Sequence, residues 1–192
     1  KITIQGNYGD PTPPSIEQFR FADGTVLNGA LAQIAATDVG TPGSRIQQGG
    51  SADDVIHDLS GGDYLFGGAG NDRLEGGVGN NYLAGEVGVD TLAGGKGIDT
   101  LNGGAGYDTY VYSYGDGSDT ILDTDGLGKI TFDGAILNGG DKLFGETYKS
   151  DDGNYLYTLL QNTTGQDLLI SGMGGQIIVK DFQSGKLGIN LN

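Results

Sequence analysis

The chain has 192 residues, 39 of them glycine, and sets Lys+Arg 10 against Asp+Glu 25 for a net charge of −15. That balance repels nucleic acid and anionic membrane surfaces and makes cations the natural partners. With no cysteine and one histidine, a disulfide, a Cys/His dyad and a zinc cluster are excluded, and no apolar run reaches the roughly 18 residues of a membrane span.

In chain order, residues 1–5 (KITIQ) and 16–21 (IEQFRF) read as strands. Asp23-Gly24 is a turn signal before Thr25-Val26-Leu27. Asn28 predicts the cap of a short helix through Ala36, with Leu31 and Ile34 as its apolar face. Lys1 stands mid-strand in this pattern, so the sequence is expected to be a piece of a longer protein.

From Gly40 to Val111 the chain repeats itself every nine residues. In register the segments are GTPGSRIQQ, GGSADDVIH, DLSGGDYLF, GGAGNDRLE, GGVGNNYLA, GEVGVDTLA, GGKGIDTLN and GGAGYDTYV. The common pattern is G-G-x-G-x-D-x-U-x, with U a large apolar residue. An acidic, glycine-rich composition alone points to disorder, but a strict period held in one frame argues for repeated structure.

The pattern resembles the RTX (repeats-in-toxin) nonapeptide of haemolysin-type calcium-binding proteins. The resemblance implies an all-β fold: a right-handed parallel β-roll filled with calcium and capped by flanking, mostly antiparallel strands. Residues 1–39 are then an N-terminal flank, 40–122 the roll and 123–192 a C-terminal flank. The first six residues of each repeat make a tight turn, in which glycines tolerate positive φ and leave backbone carbonyls uncovered. Calcium takes six to eight oxygens from carboxylates and carbonyls. The last three residues form a short strand whose middle side chain points inward: Ile56, Leu65, Leu74, Leu83, Leu92, Leu101 and Tyr110.

Two nonapeptides per coil, as the resemblance implies, sort the sixth-position residues into two rows. One is Asp54, Asp72, Asp90, Asp108. The other is Arg45, Asp63, Asn81, Asp99, with Asp119 as an extension after a small insertion. The turn glycines expected beside the ions are Gly49, Gly67, Gly70, Gly76, Gly79, Gly88, Gly94, Gly97, Gly103 and Gly106. Asp58-Leu59, Glu86 and Ala52 depart from the pattern. Arg45 before Asp63, and Lys129 about one coil beyond Asp108, are candidate fixed cations closing the rows. One inward aliphatic residue per nonapeptide is too little burial to offset ordering the backbone, so metal binding and folding are expected to be one event.

The C-terminal flank is strand-like in TYVYSYGDGSDTILD, KITFDG, NYLYTLLQ, DLLIS and QIIVKDF, with turns at Asn138-Gly139-Gly140 and Asp151-Asp152-Gly153. KITIQGNYG echoes QIIVKDFQSG, and FADGTVLNG echoes TFDGAILNG. Both resemble the haemolysin-related segments that bracket RTX blocks, and a solenoid needs such covers for its open ends.

No catalytic residue is assigned. His57 reads as a surface or edge histidine. Carboxylates eighteen residues apart could serve a glycosidase, but the calcium reading also explains the glycines. Tyrosines cluster at Tyr107, Tyr110, Tyr112 and Tyr114, the last three on one strand face, and again at Tyr148, Tyr155 and Tyr157; packing of the last coil against the C-terminal flank accounts for them better than sugar stacking. Asn162-Thr163-Thr164 reads as a turn. The expected function is a non-catalytic calcium-binding module of a larger bacterial protein, exported by type I secretion machinery and folding outside the cell. The alternative is a carbohydrate-binding appendage with glycans as partners.

Overall fold

The computed structural model describes residues 46–172 and 174–192, and before them the strands Thr3–Gly6, Ile16–Arg20, Val26–Asn28 and Thr37–Val39. The chain divides into two units, Lys1–Ile34 and Ala35–Asn192. In the first, β1 (Thr3–Gly6), β2 (Ile16–Arg20) and β3 (Val26–Asn28) form an antiparallel sheet in that order, with Ile4 opposite Phe19 and Phe19 opposite Leu27. The helix expected from Asn28 through Ala36 lies outside the described residues, apart from Asn28, which ends β3.

The second unit is built on two parallel ladders. One runs through β4 (Thr37–Val39), β6 (Val55–His57), β8 (Arg73–Glu75), β10 (Thr91–Ala93), β12 (Asp108–Tyr112) and β14 (Gly128–Phe132). The other runs through β5 (Ile46–Gln48), β7 (Tyr64–Ala69), β9 (Tyr82–Val87), β11 (Thr100–Ala105), β13 (Ser118–Ile121) and β20 (Gln176–Val179). Successive partners in the repeat block are eighteen residues apart: Ile56 pairs Leu74, which pairs Leu92, and Leu65 pairs Leu83, which pairs Leu101. Two nonapeptides therefore make one coil, and consecutive strands fall on opposite sheets.

The middle residue of each three-residue strand points inward because side chains alternate along a strand. Ile56, Leu74, Leu92, Tyr110 and Ile130 stack in one sheet, and Leu65, Leu83, Leu101, Ile121 and Val179 in the other, all essentially inaccessible to water. The core is a double file of single aliphatic side chains, about 10 Å thick, as two face-to-face sheets require.

Beyond β14 the chain leaves the roll and returns. β15 (Ala135–Ile136) folds back on β14, and Gly139 and Gly140, expected as a turn, instead begin β16 (Gly139–Phe144). Gly139 takes φ 99 there and pairs in parallel with Asn190 of β21 (Asn190–Leu191), a backbone state open to glycine. β16, β17 (Thr147–Lys149), β18 (Leu156–Gln161) and β19 (Gln166–Ser171) form an antiparallel meander, and β19 hands over to β20, which closes on β13. Tyr112, Phe132 and Tyr155 stack in sequence, with ring centroids 6.1 and 5.6 Å apart. Tyr148 and Tyr157 are buried in the same core as the roll's last coils.

Candidate metal centre

The sixth residue closes each turn and ties it to the next coil. In the first row the N–H of Asp54 donates to Oδ1 of Asp72 at 2.7 Å, that of Asp72 to Oδ1 of Asp90 at 2.7 Å, and that of Asp90 to Oδ1 of Asp108 at 2.9 Å. In the second row Asp63 donates to Asn81 Oδ1 at 3.0 Å, Asn81 to Asp99 Oδ1 at 2.6 Å, and Asp99 to Asp119 Oδ1 at 3.0 Å. Asp119 joins its row across a two-residue insertion. All of these side chains are buried.

The ladder uses one oxygen of each carboxylate. The other, Oδ2 of Asp72, Asp90, Asp99 and Asp108, is buried without a hydrogen-bond partner. Each lies against the first glycine of its own turn: Gly67 beside Asp72, Gly85 beside Asp90, Gly94 beside Asp99, Gly103 beside Asp108. Gly49 stands likewise beside Asp54, and Gly76 beside Asn81. The next coil's carbonyl faces the same spot, since a Cβ on Gly67 would fall 2.9 Å from Gly85 O and one on Gly85 would fall 2.7 Å from Gly103 O.

The fourth-position glycines Gly70, Gly79, Gly88, Gly97 and Gly106 press against carbonyls one coil earlier, those of Ala52, Gly61, Gly70, Gly79 and Gly88. Gly79 at φ 139 illustrates the requirement: any side chain would collide with Gly61 O. Ala52 keeps this arrangement because it offers its carbonyl, not its methyl. Glu86 takes φ 76, the left-handed conformation its glycine counterparts adopt. Asp58 is buried and bound at both oxygens, accepting Leu59 N–H at 2.6 Å and Gln47 Nε2–H at 3.3 Å.

Among the described residues no three Asp, Glu or His side chains converge on one point. Carboxylates arrive one per turn, and the remaining donors are backbone carbonyls. An all-oxygen set of this kind suits a hard cation of calcium's size and flexible coordination, and offers nothing to a metal that prefers nitrogen or sulfur. The electrostatics agree. Burial pushes Asp90 up to about 6, with the charges of Asp108 and Asp72 adding and the Asp72 N–H opposing. Asp99 is pushed up to about 6 and Asp119 to about 7, again chiefly by burial. Asp72 and Asp108 are raised for the same reason.

Several other sequence candidates fall elsewhere. Arg45 lies outside the described residues. Lys129 does not occupy the next aspartate position: with two residues inserted between the coils, Gly128 stands opposite Asp108 and Lys129 opposite Thr109. The neighbours of the last turn are instead Asp123 and Lys186, which nine-residue counting does not reach. His57 Nδ1 meets Glu75 Oε2 on the outer face, where Arg73 also binds Glu75. Asn162 Oδ1 accepts the N–H groups of Thr164 and Gly165 at 2.9 and 2.7 Å, an Asx turn.

Fold and ladder define a β-roll of nonapeptide repeats, and the sequence comparisons agree. Residues 48–83 and 84–112 match the RTX calcium-binding nonapeptide repeat, so this block is made of RTX repeats. Residues 1–30 match the haemolysin-type calcium binding protein related domain. No curated protein matches the chain. Among solved structures it is similar to the solution structure of the AlgE6R3 subunit from the Azotobacter vinelandii mannuronan C5-epimerase, at 23% identity and TM-score 0.36, with 73% of this chain and 72% of that chain covered. Among the described residues no helix is long and apolar enough to cross a membrane.

Proposed function

We propose that this chain is a calcium-folded module of a larger secreted protein, with ions held along both rows by Asp54, Asp72, Asp90 and Asp108 and by Asp63, Asp99 and Asp119. The supporting observation is the set of buried Oδ2 atoms on Asp72, Asp90, Asp99 and Asp108 that no protein donor satisfies. A buried carboxylate with one oxygen left unsatisfied is costly, and repeating that cost along a thin core leaves the metal-free roll without enough stability. A bound cation would supply the missing charge, and the glycine carbonyls facing the same space would be further oxygen donors to it. Binding and folding are then one event, and a module that stays open where calcium is scarce folds where it is plentiful.

The experiment is a calcium titration followed by circular dichroism and small-angle scattering. In chelator the β signal falls and the chain expands; calcium restores both, with a midpoint on the order of 10⁻⁴–10⁻³ M, as for extracellular modules. A compact, β-rich roll in excess chelator refutes the reading.

One observation favours a second role on the same scaffold. Ile46, Tyr64 and Tyr82 are register partners on the outer face of β5, β7 and β9, the Tyr64 and Tyr82 rings lie 6.0 Å apart, and Tyr64 is half exposed. Such a ledge can stack on the apolar face of a sugar ring. A glycan array probed with and without calcium tests the carbohydrate-binding reading, which needs binding that Tyr64→Ala abolishes.

A further inference from the structure

Inward positions of the first ladder are aliphatic at Ile56, Leu74 and Leu92, and then the file changes to Tyr110. Its ring continues the core, and its hydroxyl reaches the metal row. It accepts the Gly103 N–H at 2.9 Å and donates to Asp123 Oδ2 at 2.9 Å. At Gly67 and Gly85 the space beside the aspartate is faced by a carbonyl of the next coil; at Gly103 it is faced by the Tyr110 hydroxyl, 2.5 Å from where a Cβ would stand. The position where the next aspartate would continue the row is Gly128.

Asp123 begins the turn stacked on that site. Its Oδ1 accepts the Gly126 N–H, and its backbone carbonyl accepts a hydrogen bond from Lys186 Nζ, which also donates to Lys180 O at 3.3 Å. Lys186 arrives on a 3₁₀ turn, Lys186–Gly188, whose Leu187 is fully buried and donates its N–H to Gly126 O at 3.0 Å. A neutral hydroxyl thus stands beside Asp108 where interior turns meet a carbonyl of the next coil, and a tethered ammonium binds the Asp123 carbonyl of the turn stacked beyond it. The second row ends comparably: Tyr112, from the same strand, donates its hydroxyl proton to Gly117 O at 2.5 Å.

We propose that Tyr110, Asp123 and Lys186 terminate the first calcium row: the hydroxyl takes the place that the next coil's carbonyl holds at interior turns, and the Lys186 ammonium, on the Asp123 carbonyl, replaces a further ion beyond Asp108. Interior coils need a neighbour on each side to complete six or more oxygens. The last coil has none, and a protein cation makes no such demand. The same contact fastens the segment carrying Lys186 to the end of the roll, so that the ion count is fixed by the chain. This inference rests on the calcium reading above.

The experiment has two arms. Equilibrium dialysis counts ions in the natural chain and in Tyr110→Leu/Lys186→Met, which restores the repeat's aliphatic residue and removes the ammonium; the variant is expected to bind one ion more per chain. Acetylation of the calcium-loaded natural chain, read by peptide mass spectrometry, is expected to modify Lys186 at least about tenfold more slowly than the other lysines, as for a group that reacts only after local opening. An unchanged ion count in a folded variant, or a Lys186 as reactive as the rest, overturns the terminator. If the variant fails to fold, the acetylation arm decides alone. A natural chain that binds no calcium at all refutes the function itself, an outcome distinct from either.

Discussion

The two rows share a backbone and differ in one atom type. In the row of Asp54, Asp72, Asp90 and Asp108 every turn presents a carboxylate; in the other, Asn81 interrupts. The ladder does not register the change, because Asn81 Oδ1 accepts the Asp63 N–H at 3.0 Å just as an aspartate would. The second atom differs. Where Asp72 and Asp90 leave a buried oxygen unsatisfied, Asn81 Nδ2 donates to Gly76 O at 3.0 Å and reaches Gly94 O at 3.5 Å. On the calcium reading proposed above, the amide supplies from within the protein what the other turns would take from a cation. On that reading one side chain has two separable tasks, tying coil to coil through Oδ1 and calling for an ion through Oδ2.

Substitution at Asp72 separates the tasks most sharply. Asp72→Ala removes both, so the calcium midpoint for folding rises on the order of tenfold and cooperativity falls. Asp54→Ala, at the start of its row, costs less; equal shifts in the two titrations would break the eighteen-residue pairing of sites. Asp72→Asn is expected to keep the ladder and lose the demand. It binds fewer ions yet retains more β signal in chelator than the natural chain, and a variant that unfolds like Asp72→Ala contradicts the division of tasks.

The reciprocal change, Asn81→Asp, is expected to add an ion and to make the metal-free chain less ordered, a smaller effect because one turn is altered in an otherwise intact row. Dialysis and circular dichroism in chelator read the two halves of that expectation.

The mildest test is pH. In the metal-free roll Asp90 and Asp99 stand at about 6 and Asp119 at about 7, against an ordinary value of 3.8. Folded-state values above the unfolded ones mean that the fold binds extra protons, so its stability falls as pH rises from about 4 to about 7. In chelator, residual β signal should therefore be greater at pH 5 than at pH 8. With calcium present the order reverses, because protons compete with the ion. Chelator curves that coincide at the two pH values would mean that these carboxylates are not buried in the metal-free state.

Much of the roll was legible because its determinants are local and periodic. The nine-residue frame gave the inward file from Ile56 to Tyr110 and the order of both rows. It failed where the period breaks. Two residues inserted after Tyr110 moved the register, so that Gly128, which neither an eighteen-residue count nor the nearby charge of Lys129 picks out, stands opposite Asp108. Lys186 and the closing strand Gln176–Val179 are brought to the roll from far along the chain by tertiary packing, which leaves no trace in a periodic pattern. Asn81 was visible as a departure, but its amide bonds to Gly76 and Gly94 depend on the stacked geometry.

The last parallel strand has a consequence for the order of events. Coils from Ile46 to Phe132 join neighbours about twenty residues apart, so each can zip onto the one before with little loop to close. The strand Gln176–Val179 pairs with Ser118–Ile121 across the whole intervening meander. Closing that larger loop is expected to be slower than adding a coil. Until it happens the edge of β13 lies bare and can pair with another chain. In that order the coils wind first and are sealed last.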